Sequence, residues 1–226
     1  MSREVPVMTR NDFFRRLGKL LLGLFLFALG IVLTMKANLG FGPWEVFHQG
    51  VSGKVGITIG NVSILTGLLI CVLVVLAGEK LGLGTVLNMI LIGVFMDRIL
   101  ALGFIPRMES FLSGLLMMFA GLFTISFASY FYIGSGFGAG PRDSLMVALQ
   151  RKTGLAVGFC RGIVEGSAVL FGWLLGGPVG LGTVLAAFGI SFCIQAVFRV
   201  MDFDAKAVRH ETLDATWRNL VQGQKV

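Results

Sequence analysis

Six long runs of apolar residues set what this chain can fold into. A helix that crosses a bilayer needs about 20 mostly apolar residues, because the hydrocarbon core is about 30 Å thick and a helix rises about 1.5 Å per residue. The runs that meet this requirement are Leu17–Met35, Ile57–Ala77, Leu83–Leu102, Phe111–Tyr132, Leu155–Leu175 and Leu181–Val200. The sequence therefore predicts an all-α polytopic membrane protein with six transmembrane helices.

The composition supports a membrane protein and argues against a soluble one. Of the 226 residues, 55% are hydrophobic and only 14% are charged, which is too little charge to cover the surface of a soluble domain of this size. The formal net charge is +7, but the basic residues lie in short loops and tails, so we expect no nucleic-acid partner. The cysteines Cys71, Cys160 and Cys193 lie in apolar runs and are expected to be unpaired.

The distribution of Lys and Arg predicts the orientation. If the N-terminus is cytoplasmic, fourteen basic residues fall on the inside and four on the outside, with Arg161 inside a helix. Because cytoplasmic loops are enriched in Lys and Arg, both termini are expected in the cytoplasm. A seventh crossing in residues 38–55 or 135–153 would break this agreement.

An internal repeat appears when the chain is shifted by 98 positions. The run Gly82–Leu87 is identical to Gly180–Leu185 at this offset, without a gap. Gly40, Gly42 and Pro43 likewise fall on Gly138, Gly140 and Pro141. A run of six identical residues at one offset makes a chance match of glycines improbable, and the sequence predicts two copies of one unit.

Each copy holds three spans, and three is an odd number, so we expect the second copy to be inserted upside down. The predicted organisation is a cytoplasmic segment (1–16), a first unit (17–102), a linker (103–110), a second unit (111–201) and a cytoplasmic tail (202–226). The tail carries Leu213, Trp217, Leu220 and Val221 at helical spacing, which predicts an amphipathic helix. Inverted repeats are common in secondary transporters, although some channels and binding subunits are also duplicated.

The repeated glycine loops are the first candidate site. Pro favours the first turn of a helix and an acid near the helix start is stabilised by the helix dipole, so short helices should begin at Pro43 and Pro141. They are either re-entrant half-helices that face a central cavity or helices that lie in the membrane interface. The candidate binding residues of these loops are Gly42, Trp44, Glu45, Gly140, Arg142 and Asp143.

Arg161 and Glu165 are the second candidate site. They are four residues apart in the fifth span and therefore share one helix face. Charges inside a span are costly, so they should pair, face the bundle interior or line a wet cavity. The alternatives are a purely structural ion pair and an Arg161 side chain that reaches the membrane surface.

Polar residues within the apolar spans form a third group, and most of them are expected to serve as hydrogen-bonding contacts between helices. The site candidates among them are Asn61, Asn88, Thr85 and Thr183. Asp97 is expected to pair with Arg98 or Arg107.

Catalytic and metal-binding motifs were also sought. The sequence has two histidines, His48 and His210, and lacks the HExxH, CxxC and P-loop patterns. We therefore expect no enzymatic activity, no metal and no cofactor.

The Gly-Phe-Gly-Pro-Trp-Glu and Gly-Ala-Gly-Pro-Arg-Asp loops, the Arg161–Glu165 step and the run Gly176–Thr183 together resemble the YczE/YyaS/YitT-like family of bacterial membrane proteins. The resemblance covers roughly residues 15–201. It implies a protein of the bacterial inner membrane that is presumed to be a transporter, and it assigns no site roles.

The leading functional prediction is a small secondary transporter or exporter of a small molecule or ion, which alternates between two inverted units. The alternatives are a membrane-embedded binding subunit that works with a separate ATPase, and a sensor or assembly factor without transport. The expected partners are the lipid bilayer and the solute, and a second copy of the chain is a further candidate.

Overall fold

The computed structural model describes residues 10–208 and 210–216, and these residues form eight helices. The helices are α1 (Arg10–Lys36), α2 (Pro43–Val55), α3 (Ile59–Leu76), α4 (Leu83–Leu102), α5 (Phe111–Gly134), α6 (Pro141–Thr153), α7 (Val157–Leu174) and α8 (Leu181–Val200). Within α8, residues Leu185–Gly189 form a π-helical turn. A short 3₁₀ turn follows at Ala205–Ala207. The described residues contain no strand.

Six of these helices are long and apolar enough to cross a membrane, and they are the six predicted spans. The largest difference is at the first helix, which begins at Arg10 and not at Leu17. Polar residues extend this helix towards the N-terminus beyond the apolar run. A search for apolar residues alone therefore does not find where the helix begins. The third helix begins at Ile59, because the Thr58 side chain accepts a hydrogen bond from the Asn61 backbone and caps it.

The short helices α2 and α6 begin at Pro43 and Pro141, as the sequence predicts, and each has 13 residues. At about 1.5 Å per residue they are about 20 Å long, which is too short to cross the hydrocarbon core. Each ends at a glycine in the left-handed conformation, Gly56 with φ 77° and Gly154 with φ 73°.

The helices pack in pairs around a central contact between α1 and α5. α1 also packs against α4, and α5 packs against α8. The short helices cross between the units, since α2 packs against α7 and α6 packs against α3. The main apolar core lies along α1, where Leu20, Leu24, Ala28 and Val32 are fully buried.

Contacts between chain segments define two ends of the bundle. At one end, the Arg16 side chain donates to the carbonyl of Ser135, and the Glu211 backbone N–H donates to Gly136 at 2.8 Å. We call this end, which carries the start of α1 and the tail, the terminal face. At the other end, the Met108 N–H donates to the carbonyl of Lys36 at 2.9 Å, and we call this end the opposite face.

The tail lies on the terminal face. Its Glu211 carboxylate contacts the Arg16 guanidinium at 2.5 Å, and the Phe203 ring packs on Tyr130 and Phe198. Residues 213–216 are helical, which agrees with the start of the expected amphipathic helix. The other residues of that expectation, Trp217, Leu220 and Val221, lie outside the described part of the chain.

The two glycine loops make reciprocal backbone contacts between the halves. The Gly84 N–H donates to the carbonyl of Phe137 at 2.7 Å, and the Gly182 N–H donates to the carbonyl of Leu39 at 2.6 Å. The donors are 98 residues apart, and so are the acceptors. Gly40 has φ 107°, and a Cβ built on it would lie 2.5 Å from the backbone nitrogen of Gly180. Only glycine fits this loop without strain.

Candidate functional site

A cavity of about 230 Å³ lies in the middle of the bundle, where the starts of α2 and α6 meet. All eight helices contribute to its wall. The polar and charged residues of the wall are Trp44, His48, Ser63, Thr66, Asn88, Ser129, Tyr132, Arg142, Asp143, Arg161 and Glu165. A mostly apolar cavity with a few convergent polar groups is the usual form of a small-molecule site.

The prolines that start the two short helices bring Trp44 and Arg142 together. The Arg142 guanidinium carbon lies 4.7 Å from the centroid of the Trp44 ring, which is a cation–π contact. The same guanidinium lies 3.8 Å from the Glu45 carboxylate, whose residue is only 8% exposed. Arg142 is therefore held by a ring and a carboxylate of the other half.

The acids of the two loops lie at the starts of their helices. The Asp143 carboxylate lies close to Gly140, the residue that caps α6. The partial positive charge of a helix start stabilises such a carboxylate. The positive charges of Arg161 and Arg142 also stabilise the Asp143 carboxylate. Positively and negatively charged side chains therefore lie close together at the cavity.

Arg161 and Glu165 form the ion pair that the sequence predicts. The Arg161 Nε donates to the Glu165 Oε1 at 2.8 Å, and both residues line the cavity. The two side chains differ in exposure, because the Arg161 side chain is 39% exposed and that of Glu165 is 15% exposed. The two charges are therefore paired at the wall of the cavity, and a functional role of the pair stays a prediction.

Three polar side chains on the cavity wall are buried without a hydrogen-bond partner among the described residues. They are Trp44 at Nε1, His48 at both ring nitrogens and Tyr132 at its hydroxyl. Nearly all buried polar atoms in proteins are hydrogen-bonded, and leaving one unpaired costs about 1–3 kcal/mol. All three of these residues line the same cavity.

Most of the predicted site residues lie at this cavity. The residues on its wall are Trp44, Asn88, Gly140, Arg142, Asp143, Arg161 and Glu165. Glu45 is held against Arg142, and Gly42 caps α2 one residue before Pro43.

The remaining predicted residues lie away from the wall and serve local structure. The Thr85 hydroxyl accepts from the Gly82 N–H at 3.2 Å, and Thr183 accepts from the Gly180 N–H at 3.1 Å, so both brace the start of a helix. Asn61 is exposed in the first turn of α3.

Five polar residues of the wall were not among the predicted site residues, and two of these, His48 and Tyr132, carry unpaired polar atoms. His48 follows Trp44 by four residues, and this spacing puts it on the same face of α2, so the signal was present. Tyr132 lies near the end of an apolar span and carries no such signal. Only the packing of α5 against α1 places it at the cavity.

The expected partner of Asp97 was wrong. Its carboxylate accepts from the Thr58 hydroxyl at 2.5 Å and from the Gly60 N–H at 2.8 Å, so it binds the start of α3. The free N–H groups of a helix start attract a carboxylate. Arg107 instead donates to the Asn38 side chain.

His210 of the tail interacts electrostatically with Asp143, which lines the cavity. Burial lowers the pKa of the His210 imidazole, although the Asp143 carboxylate raises it. The Asp143 carboxylate therefore interacts electrostatically with His210 of the tail as well as with Arg142 and Arg161.

Comparison with known proteins places the chain among membrane proteins. It matches a family of unknown function, DUF6198, over residues 14–199. It is 37% identical over 169 residues to "Uncharacterized membrane protein YczE" of Bacillus subtilis, covering 73% of this chain and 77% of that protein.

Two further relatives cover similar shares. An "Uncharacterized protein" of Haemophilus influenzae is 32% identical over 213 residues, covering 89% of this chain and 95% of that one. "Uncharacterized protein YyaS" of Bacillus subtilis is 28% identical over 170 residues, covering 73% of this chain and 83% of that one. No solved structure matches the chain significantly.

The family match covers most of the chain, and the relatives include YczE and YyaS, after which the family that the sequence resembles is named. The chain belongs to the DUF6198 family of YczE- and YyaS-like membrane proteins.

Proposed function

We propose that this protein is a small secondary transporter of a polar solute, which binds in the central cavity. The observation that carries the proposal is the convergence of three buried, unpaired polar side chains, Trp44, His48 and Tyr132, on a cavity of about 230 Å³. A solute with hydrogen-bonding groups would satisfy them.

The arrangement around the cavity supports transport rather than simple binding. Discontinuous helices whose starts point at a central site are typical of secondary transporters built from inverted repeats. In our proposal the two units, offset by 98 residues, are inverted copies, and the reciprocal Gly84–Phe137 and Gly182–Leu39 bonds support this relation. Two such copies can exchange conformations and open the site alternately to either side.

We also propose that the protein resides in the bacterial inner membrane with the terminal face in the cytoplasm. The support is the surplus of Lys and Arg in the segments on that face.

The test uses the two tyrosines of the chain as a matched pair. Tyr132 presents an unpaired hydroxyl to the cavity, whereas Tyr130 packs on Phe131 and Phe203 outside it. The purified protein is screened for thermal stabilisation by a panel of amines, amino acids, sugars, carboxylates and inorganic ions. A ligand that binds only the folded protein raises its melting temperature with concentration.

A solute that stabilises the wild type and Tyr130→Phe, but stabilises Tyr132→Phe less, is expected. The same solute should then enter proteoliposomes that contain only this protein. Stabilisation that Tyr132→Phe leaves unchanged would move the site elsewhere. Binding without flux would contradict the transporter and favour the binding-subunit or sensor alternatives.

A further inference from the structure

The two halves of the molecule are not in the same state. In the first half, α3 packs along α4. A Cβ built on Gly60 would lie 2.2 Å from the carbonyl oxygen of Gly93, and one on Gly67 would lie 2.8 Å from the Met89 side chain. α3 and α4 are therefore in direct contact on the side of the opposite face.

The second half lacks the corresponding contact. Gly158, Gly162 and Gly166 follow one another at intervals of four on α7, and a Cβ built on any of them would meet nothing within 4 Å. Glu165 of α7 and Ile194 of α8 instead stand on walls of the central cavity. The offset of 98 pairs Gly60 with Gly158, so the same position is packed in one half and open in the other.

The contact in the first half is fastened by Asp97. Its carboxylate binds the Thr58 hydroxyl and the Gly60 N–H, which joins the end of α4 to the start of α3. The residue that corresponds to Asp97 is Gln195, near the end of α8. Its side chain is exposed and makes no hydrogen bond to a described residue. Gln195 therefore has no partner among the described residues in this structure, whereas the corresponding Asp97 has two.

α8 also contains an irregular backbone segment at which the direction of the helix can change. The π-helical turn Leu185–Gly189 lies between the Gly182 contact with the first half and Gln195. The corresponding stretch of α4, residues 87–91, is regular α-helix. π-turns in α-helices are often found at functional sites, and a change there would redirect the end of α8.

We infer that the helix pairs α3–α4 and α7–α8 are the two gates of the central cavity. Asp97 holds the gate at the opposite face closed. Gln195 binds the start of α7 at Gly158 when the gate at the terminal face closes. The present structure is then the state that is closed at the opposite face and open between α7 and α8. This inference rests on the proposed transport function and deepens it.

The test measures the closure of α7 on α8 by chemical cross-linking and needs no solute. Cys71, Cys160 and Cys193 are replaced by alanine, and a cysteine pair is introduced by Gly162→Cys and Ser191→Cys. These positions correspond to Ile64 and Gly93, which are in contact in the first half, and a Cβ at Gly162 meets nothing within 4 Å in this structure. The rate of cross-linking by a short bis-thiol reagent is followed in membranes, and gel filtration shows that each variant is folded.

Weakening the Asp97 latch should favour closure of the other gate. We expect Asp97→Ala to raise the cross-linking rate about tenfold, the change that loss of a hydrogen bond to a charged group produces in an equilibrium. Gln195→Ala should lower the rate, and Gln195→Asp, which creates the counterpart of Asp97, should raise it. Arg98→Ala is the matched control, because Arg98 is exposed next to Asp97, and it should leave the rate unchanged.

A rate that Asp97→Ala leaves unchanged, or that Arg98→Ala raises as much, overturns the gate assignment, and so does a pair that never cross-links in any variant. The two proposals fail separately. Flux without a response of the cross-link contradicts the gates alone, whereas a responding cross-link without flux of any solute contradicts the transporter alone.

Discussion

The guanidinium of Arg142 lies over the ring of Trp44 at 4.7 Å, and these two residues are 98 positions apart. Residues that correspond under a two-fold relation can touch only where they lie near its axis. If the two units are inverted copies, as we propose, this contact marks their axis. Both residues line the central cavity.

This contact should contribute to stability. Trp44→Leu removes the ring from Arg142 but keeps apolar bulk, and we expect the protein to lose roughly 1–2 kcal/mol, the range of a desolvated cation–π contact. A thiol-reactive dye can follow thermal unfolding, because all three cysteines are free and buried. Trp173→Leu is the control, since Trp173 is 60% exposed on α7 and lies outside the cavity wall. Equal losses in the two variants would contradict a special role of the central contact.

The Arg161–Glu165 pair should behave as a coupled unit. Removing one partner leaves the other charge unpaired in a partly buried place, so Arg161→Met and Glu165→Met should each destabilise the protein. The double variant should lose less than the sum of the single losses, with a coupling of about 0.5–3 kcal/mol in the thermal or denaturant unfolding cycle. Additive losses would show that the two side chains act independently in the membrane.

The glycine loops should tolerate no side chain. Gly40→Ala and Gly138→Ala each place a Cβ at positive φ against the other half, and we expect each to cost at least about 2 kcal/mol or to prevent folding. Gly53→Ala is a matched change within α2, where a Cβ meets nothing within 4 Å, and it should be neutral or stabilising by up to about 1 kcal/mol. The yield of monodisperse protein on gel filtration compares the three variants. A well-folded Gly40→Ala protein would mean that the loop can open without loss.

The tail should be released when its ion pair is removed. Arg16 and Glu211 are in contact and about 80% shielded from solvent, so Glu211→Gln should loosen the tail and speed cleavage after Phe203 by a protease several-fold. Lys80→Ala breaks a second ion pair of the tail, with Asp214, whose side chains are 72% and 50% exposed. Exposed pairs are worth little, so this control should change the cleavage rate hardly at all. If Lys80→Ala speeds the cleavage as much as Glu211→Gln does, the prediction is wrong.

The orientation can be tested with reporters that fluoresce only in the cytoplasm. Fusions at both ends of the chain should fluoresce, and fusions that end after Lys54 or Arg107 should not, because the two sides differ in basic residues. Alkaline phosphatase, which is active only outside the cytoplasm, should give the reverse pattern. A fluorescent fusion after Lys54 would place the first glycine loop on the wrong side.

The sequence predicted the elements of this fold better than their relations. Pro43 and Pro141 start their helices as predicted, because proline fixes the backbone locally. Asp97 was assigned the wrong partner, because the start of α3 is brought to it only by the packing of α3 on α4.

The residues of the cavity likewise include some that the sequence predicted and some that only the packing revealed. Arg161 and Glu165 were found because charge in an apolar span is conspicuous, whereas the hydroxyl of Tyr132 became significant only when its partners proved to be absent among the described residues. The open space beside Gly158 had no signal at all. Gly158 corresponds to Gly60, and only the packing of the helices shows that one of the two is in close contact and the other is not.

The reciprocal bonds of the glycine loops have a consequence for biosynthesis. Gly84 finds its acceptor only when Phe137 has emerged from the ribosome, and Leu39 finds its donor only when Gly182 has done so. Neither half can complete its own backbone hydrogen bonds in the membrane, where an unpaired group is costly. The first three spans therefore stay incompletely folded in the bilayer until the second half has been synthesised. Two half-length chains made in the same cell should assemble with each other, whereas either one alone should be degraded.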